Sequence, residues 1–299
     1  MRISEALQGY WLEKQLHFSP TTTPRYKCTF RRLVEFTGDG QIEAVTANDL
    51  RRFLKHLEEH HNLSKRSVHD SWVHLSSLWT WAETELHIPH IMRKQIKAPD
   101  YTKRKPDPYT AKEIKRLLAC VEHSAGGARR DTAARDHAMI LVLLDAGLRA
   151  SELCSLLVSD YDVTNGRLHV RKGKGKGGGK ERFVVIGKRT QKALWRYLAP
   201  RQPTPTQPLF TTRNGGPLTR TDLRHLLARL GKRAGIAHVH PHRFRHTFAI
   251  TFLRNGGSVA VLKELLGHET LQMVLHYADI AQQDLDASIA HSPVDNWKL

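Results

Sequence analysis

A chain of 299 residues with 47 Lys plus Arg against 29 Asp plus Glu carries a formal charge of +18, an excess that must meet a polyanion or remain solvated, and nucleic acid is the usual partner. At 40% apolar and 25% charged residues the chain can bury ordinary cores, and its length suits two domains. No apolar run has the length of a bilayer span, the opening Met1-Arg2-Ile3-Ser4-Glu5 does not read as a secretory signal, and no basic amphipathic helix stands apart as a membrane anchor would.

Residues 1 to 98 read as a small, basic helical bundle. Tyr26, Phe30 and Leu33 recur at helical spacing, as do Leu50, Phe53, Leu54 and Leu57, with Thr46 and Asp49 placed as a capping box before the second set. Ser64 can cap a third helix whose apolar stripe is Val68, Trp72, Leu75, Trp79 and Ala82. The two Trp on that stripe fit a core rather than a base-stacking platform. Arg25, Lys27, Lys65 and Arg66 edge these helices and are candidates for contact with phosphates. Residues 99 to 109 hold Lys103-Arg104-Lys105 and two prolines without apolar periodicity, so they read as a basic linker that can lie along a phosphate backbone.

The second domain, 110 to 299, opens on a capping box from Thr110 to Glu113, followed by Ile114, Leu117, Leu118 and Val121 on one helix face. Ala138 to Leu144 is apolar on every side and belongs at the centre of a core, with Gly147 as its stop. Two β-rich runs, 167–171 and 181–186, flank a glycine- and lysine-rich turn. A helix over 190–198 precedes a loop with Pro200, Pro203, Pro205 and Pro208. Further helices fit 219–235, 242–254, 258–266 and 270–277, leaving 278–299 as a C-terminal tail. The fold class is mainly α with a small antiparallel β-sheet in the C-terminal domain. Cys28, Cys120 and Cys154 lie far apart with no C-x-x-C spacing, so neither a disulfide framework nor a thiolate zinc site is indicated.

Four local patterns carry chemistry. In Ala146-Gly147-Leu148-Arg149-Ala150-Ser151-Glu152-Leu153, Arg149 sits just past a buried helix and needs an anion, either a ligand or a carboxylate such as Glu152 or Asp145. The run from Arg171 to Arg182 lacks the G-x-x-x-x-G-K-[ST] spacing of a nucleotide phosphate loop, and reads as a basic hairpin reaching into a DNA groove or as a solvated turn. In His240-Pro241-His242-Arg243-Phe244-Arg245-His246-Thr247-Phe248, His242 and Arg245 share a helix face and can hold a phosphate between a proton acceptor and a bidentate clamp. A zinc site from His238, His240, His242 and His246 fits poorly, because two arginines intrude and no carboxylate is near. Finally, Leu265-Leu266-Gly267-His268-Glu269 precedes Tyr277, which taken alone reads as core packing on a short helix.

Together, A-G-L-R-x-S-E-L, the basic hairpin, H-x-x-R-H-T-F and L-L-G-H with its downstream Tyr resemble the tyrosine recombinase or phage integrase family across the whole second domain. The first domain looks like that family's core-binding domain. The resemblance implies a two-domain, C-shaped DNA clamp and a site-specific recombinase that cleaves and rejoins DNA through a 3′-phosphotyrosyl intermediate, in integration, excision or resolution. It implies Tyr277 as nucleophile, Arg149 and Arg245 as phosphate clamps, His242 as an aid to deprotonating Tyr277, His268 as a hydrogen-bond donor to the phosphate, and Lys174 as the acid that protonates the leaving 5′-oxygen. The hairpin turn is longer than the family's pattern, so Lys172 and Lys176 remain candidates beside Lys174, and as further contacts with DNA. Neither ATP, metal nor other cofactor is expected, because the phosphotyrosine stores the bond energy. The implied partners are double-stranded DNA carrying a specific site, three further copies of the chain in a tetramer, accessory bending or directionality proteins, and no membrane; the implied location is the cytoplasm, at the nucleoid when DNA is bound. Two rival readings are a type IB topoisomerase, which uses the same nucleophile, and a metal-dependent nuclease or transposase built on Asp160, Asp162 and Glu152. A third is a DNA-binding module with an inactive site.

Overall fold

The computed structural model describes residues 1–20, 22–102, 107–123, 130–171 and 180–285. The chain divides into two compact units, Met1–Arg104 and Lys105–Leu299, with the division inside the basic stretch. The described residues of the first unit form five α-helices: α1 (Ile3–Lys14), α2 (Thr23–Thr37), α3 (Ala47–Glu59), α4 (Lys65–Glu85) and α5 (Ile91–Gln95). The expected caps are in place, since Asp49 N–H donates to Thr46 Oγ1 and Thr46 N–H to the Asp49 carboxylate, while Ser67 N–H donates to Ser64 Oγ. The core gathers Tyr10, Phe30, Leu33, Leu50, Phe53, Leu57, Leu75 and Trp79. Trp79 is fully buried and Trp72 is half-buried, with its indole N–H donating to Ile96 O. Arg25, Lys27, Lys65 and Arg66 are all exposed, with Lys27 over the Trp11 ring and Arg66 over the Tyr101 ring.

The second unit is built on α6 (Ala111–Glu122), α7 (Arg130–Ala146), α8 (Ala150–Ser155), the strands β1 (Tyr161–Asp162), β2 (Arg167–Val170) and β3 (Arg182–Val185), α9 (Lys188–Leu198), α10 (Arg220–Ala234), α11 (Pro241–Arg254), α12 (Val259–Leu266) and α13 (Gln272–Leu285). Ala138, Met139, Ile140, Val142 and Leu143 make α7 the buried axis, packed against α9 and α11. The sheet runs β1-β2-β3, antiparallel throughout, with Leu168 opposite Val184 and Val170 opposite Arg182. Leu168, Val170 and Val184 face the core while Phe183 and Val185 stay exposed, as the two-residue period of a one-sided sheet requires. A smaller cluster of Ala249, Ile250, Leu262, Leu266, Val274 and Tyr277 joins α11, α12 and α13. The last helix does not end at Tyr277 but continues to Leu285, so the first eight residues of the expected tail are helical. Among the described residues, no helix is long and apolar enough to cross a membrane.

Candidate active site

The basic cluster begins where α7 stops. Gly147 adopts φ +57°, and a Cβ there would come within 2.3 Å of the Phe248 ring, so only glycine fits both the left-handed turn and the close approach of α11. The turn delivers Arg149 to the start of α8, where its backbone N–H and Nη1 donate to the two carboxylate oxygens of Glu152, at 2.8 and 2.9 Å. Arg182, the first residue of β3, donates to the same carboxylate with Nη1 and Nη2 at 3.1 and 2.9 Å, and with Nε to Leu265 O at 2.6 Å. Arg245 on α11 adds a third guanidinium, 3.9 Å from Glu152, and donates to Gly147 O and Leu266 O.

Three guanidinium groups therefore surround one carboxylate, and Arg182, Arg245 and Glu152 are all buried. Burial works to raise the Glu152 pKa, but the contacts with Arg182, Arg149 and Arg245 together outweigh it and hold the carboxyl at about 2. For Arg245, burial and then the Arg149 charge lower the pKa to about 10, so the group is cationic at neutral pH but poorly compensated. Such a site gains from one more anion, and the planar forks of Arg149 and Arg245 suit the oxygens of a phosphodiester. Asp145, the other carboxylate that could have neutralised Arg149, is taken up in capping α9 through Gly187 N–H and Thr190 Oγ1.

His268 follows Gly267, whose left-handed φ of +63° ends α12 and whose missing Cβ leaves room for Arg182. Arg245 Nη2 stands 2.7 Å from His268 Nε2. An arginine can only donate, so Nε2 accepts and the neutral ring carries its proton on Nδ1. That Nδ1 is buried without an acceptor among the described residues, which leaves a donor ready for a ligand oxygen. Burial and then the charges of Arg245 and Arg149 lower the His268 pKa to about 4, so the ring is neutral at pH 7.

Tyr277 is buried on α13. Its hydroxyl lies 2.9 Å from Nδ1 of His246, one helical turn beyond His242. The His242 and His246 rings stack with centroids 6.1 Å apart, and His242 itself is exposed. Burial raises the Tyr277 pKa, with the Arg245 and Arg149 charges opposing it. Partial desolvation of its ring, and then the Arg245 and Arg149 charges, lower that of His242.

The helix carrying His242 and Arg245 is itself anchored. Arg243 is buried and joins Asp107, Glu113 and Ala237 O, its guanidinium 4.1 Å from the centre of the Tyr109 ring, while Tyr109 N–H donates to Thr247 Oγ1. Arg149, Arg245 and His268 thus share one site with Tyr277 nearby on α13. Lys103, Arg104, Lys105, Lys172, Lys174 and Lys176 lie outside the described residues. Sequence reasoning missed His246 and Arg182 as members of the site, although both sit inside the quoted motifs. Glu152 does pair with Arg149, one of the two carboxylates expected for it, and it also meets Arg182 and Arg245, which the sequence did not signal. The rival carboxylate set is otherwise engaged: Glu152 as described, Asp160 with Arg171 and Leu157 N–H, and Asp162 with its own turn.

The model of the phage integrase family matches residues 109–284. The tyrosine recombinase XerC of Oceanobacillus iheyensis is 31% identical over 286 residues, 92% of this chain and 90% of that one. The tyrosine recombinase XerA of Thermococcus kodakarensis is 31% identical over 269 residues, covering 89% and 87%. Among solved structures, the Tn1549 transposon integrase in complex with transposon right end DNA matches with a TM-score of 0.77 at 20% identity, covering 96% of this chain and 99% of that one. A lambda integrase dimer bound to a core site matches with a TM-score of 0.74 at 18% identity, covering 91% and 97%.

Proposed function

This chain belongs to the phage integrase family, and from that membership and the site's geometry we infer how it works as a tyrosine-type, site-specific DNA recombinase that cleaves and rejoins DNA strands. The observation that carries the assignment of the site is the excess of buried guanidinium around Glu152, with the Tyr277 hydroxyl held nearby on α13. Arg149 and Arg245 bind the nonbridging oxygens of the scissile phosphate and neutralise the charge that grows on them in the pentacoordinate transition state. His268 donates its free Nδ1–H to the same phosphate. Tyr277 attacks phosphorus to give a 3′-phosphotyrosyl link and a 5′-hydroxyl, and Lys174 in the hairpin protonates the leaving oxygen. His242, exposed at the start of α11 and within reach of the Arg245 and Arg149 charges, hydrogen-bonds the phosphate in this reading.

The partner is double-stranded DNA carrying a recombination site, and the working assembly is a tetramer on two paired sites. Arg25, Lys27, Lys65 and Arg66 contact the DNA backbone, as do the linker residues Lys103, Arg104 and Lys105 and the hairpin residues Lys172 and Lys176. Of the 22 residues after Tyr277, those beyond Leu285 dock on a neighbouring copy in this reading. The test is a supercoiled plasmid bearing two copies of a site selected from random duplexes by binding, incubated in EDTA without nucleotide. Exchange between the two sites is expected. Relaxation without exchange would favour the topoisomerase reading, and cleavage that appears only on adding Mg²⁺ would favour the nuclease.

A further inference from the structure

We propose that His246, rather than His242, accepts the phenolic proton of Tyr277 during strand cleavage. The inference deepens the recombinase reading and rests on it. Its foundation is geometric: Nδ1 of His246 stands 2.9 Å from Tyr277 Oη, the distance of a formed hydrogen bond. The ring centroids are 5.5 Å apart, with the planes inclined by 50°. The contact joins α11 to α13, two helices that pack closely on each other over Ala249, Ile250, Val274 and Tyr277. The partnership is thus fixed by the core and does not depend on a surface rotamer.

The protonation state fits the role. The titratable and charged groups around the ring are His240, His242 and Arg245 from α11 and its cap, and His276 from α13. Burial and then these neighbours bring the His246 pKa down to about 4. The imidazole is neutral at pH 7, with its proton on Nε2 when Nδ1 accepts from the phenol. Burial meanwhile raises the Tyr277 pKa above its ordinary value of 10.0, so unassisted ionisation of the nucleophile is rarer than in water. A neighbouring acceptor removes the need for prior ionisation. As Oη bonds to phosphorus, the O–H proton passes to His246 Nδ1 and the bond from phosphorus to the 5′-oxygen breaks. The 5′-oxygen takes its proton from Lys174. Religation runs the same path backwards, with the imidazolium returning the proton to the phenolate that leaves.

The experiment measures single-turnover covalent adduct formation on a nicked duplex carrying the chain's own site, from pH 6 to 9. It compares wild type, His246→Phe, and His246→Asn, which keeps an acceptor near the Nδ1 position. The expected result is a nearly level wild-type profile. His246→Phe is expected to be slower by about 100-fold at neutral pH, with unchanged DNA affinity and a rate that rises tenfold per pH unit. His246→Asn is expected to be intermediate. Replacing Tyr277 by a trifluorotyrosine of lower pKa should restore the rate of His246→Phe but not that of Arg149→Ala. A His246→Phe rate and profile equal to wild type would overturn the proposal, as would a loss that the fluorinated tyrosine does not repair. Absence of adduct in wild type would instead refute the recombinase reading beneath it.

Discussion

At the scale of the residue, three guanidinium groups depend on the Glu152 carboxylate, and its neutral isostere would leave them facing one another in a buried site. Glu152→Gln should lower the unfolding free energy by roughly 3–5 kcal/mol, the usual cost of breaking a buried ion pair by removing one partner. Urea denaturation at pH 7 reads this, and a loss below about 1 kcal/mol would show that the arginines find other partners. The same residue sets an acid limit. Its folded pKa of about 2 lies below the ordinary 4.5, so its stabilisation is complete above pH 4.5 and disappears as the pH falls towards 2. His246 and His268 act at higher pH, because each is held near 4 in the fold against an ordinary 6.5. Below pH 6.5 the unfolded chain therefore binds their protons first, and stability falls as the pH drops from 6.5 to 4. The urea midpoint should decline across that window; a flat midpoint would contradict the burial of these rings.

At the scale of the element, helix ends shape the site: Arg149 stands at the N-cap of α8, and Gly267 ends α12 just before His268. Gly147→Ala puts a β-carbon into both a left-handed turn and the Phe248 ring, and should cost roughly 1–3 kcal/mol while slowing cleavage through misplacement of Arg149. Unchanged stability and cleavage would mean that the α7–α8 turn does not set the position of Arg149. Thr110→Ala, which removes the cap of α6, should cost about 1 kcal/mol by denaturant titration and leave cleavage untouched. These ends were legible in the sequence because caps and stops are local: Thr46, Ser64, Thr110, Gly147 and Gly267 each act within a few residues. The α13 end was not, since no Gly or Pro follows Tyr277 closely and a helix that continues past its apolar stripe leaves no local mark. The hydrogen bond between His246 and Tyr277 was hidden for a different reason. Motif spacing shows that His242 and Arg245 share a face, but which of two histidines one turn apart meets Tyr277 depends on how α11 crosses α13, and crossing is a tertiary property. Glu152 and Arg182 were likewise visible as motif letters, while their pairing across 30 residues was not.

At the scale of the whole molecule, the charge of +18 makes association with DNA an exchange of condensed counterions for Lys and Arg. Binding to a nonspecific duplex should therefore weaken by about 10³ or more between 50 and 200 mM salt if six or more phosphates are neutralised. A nearly flat salt dependence would contradict the assignment of the basic residues to the backbone. Truncation after Leu285 retains every described residue of α13, unlike truncation at Tyr277. It should abolish recombination between two sites while sparing binding to one. Loss of simple binding would sink the view that this segment serves a neighbouring copy.

The most direct test of the account is covalent capture. Wild type and Tyr277→Phe are each incubated in EDTA with an end-labelled nicked duplex carrying the selected site, and the products are separated in denaturant. A labelled adduct that survives denaturation with wild type alone, and that protease reduces to a short phosphotyrosyl peptide on the 3′ end, is the result predicted. Binding by both proteins with no adduct from either, or an adduct that persists in Tyr277→Phe, would contradict it.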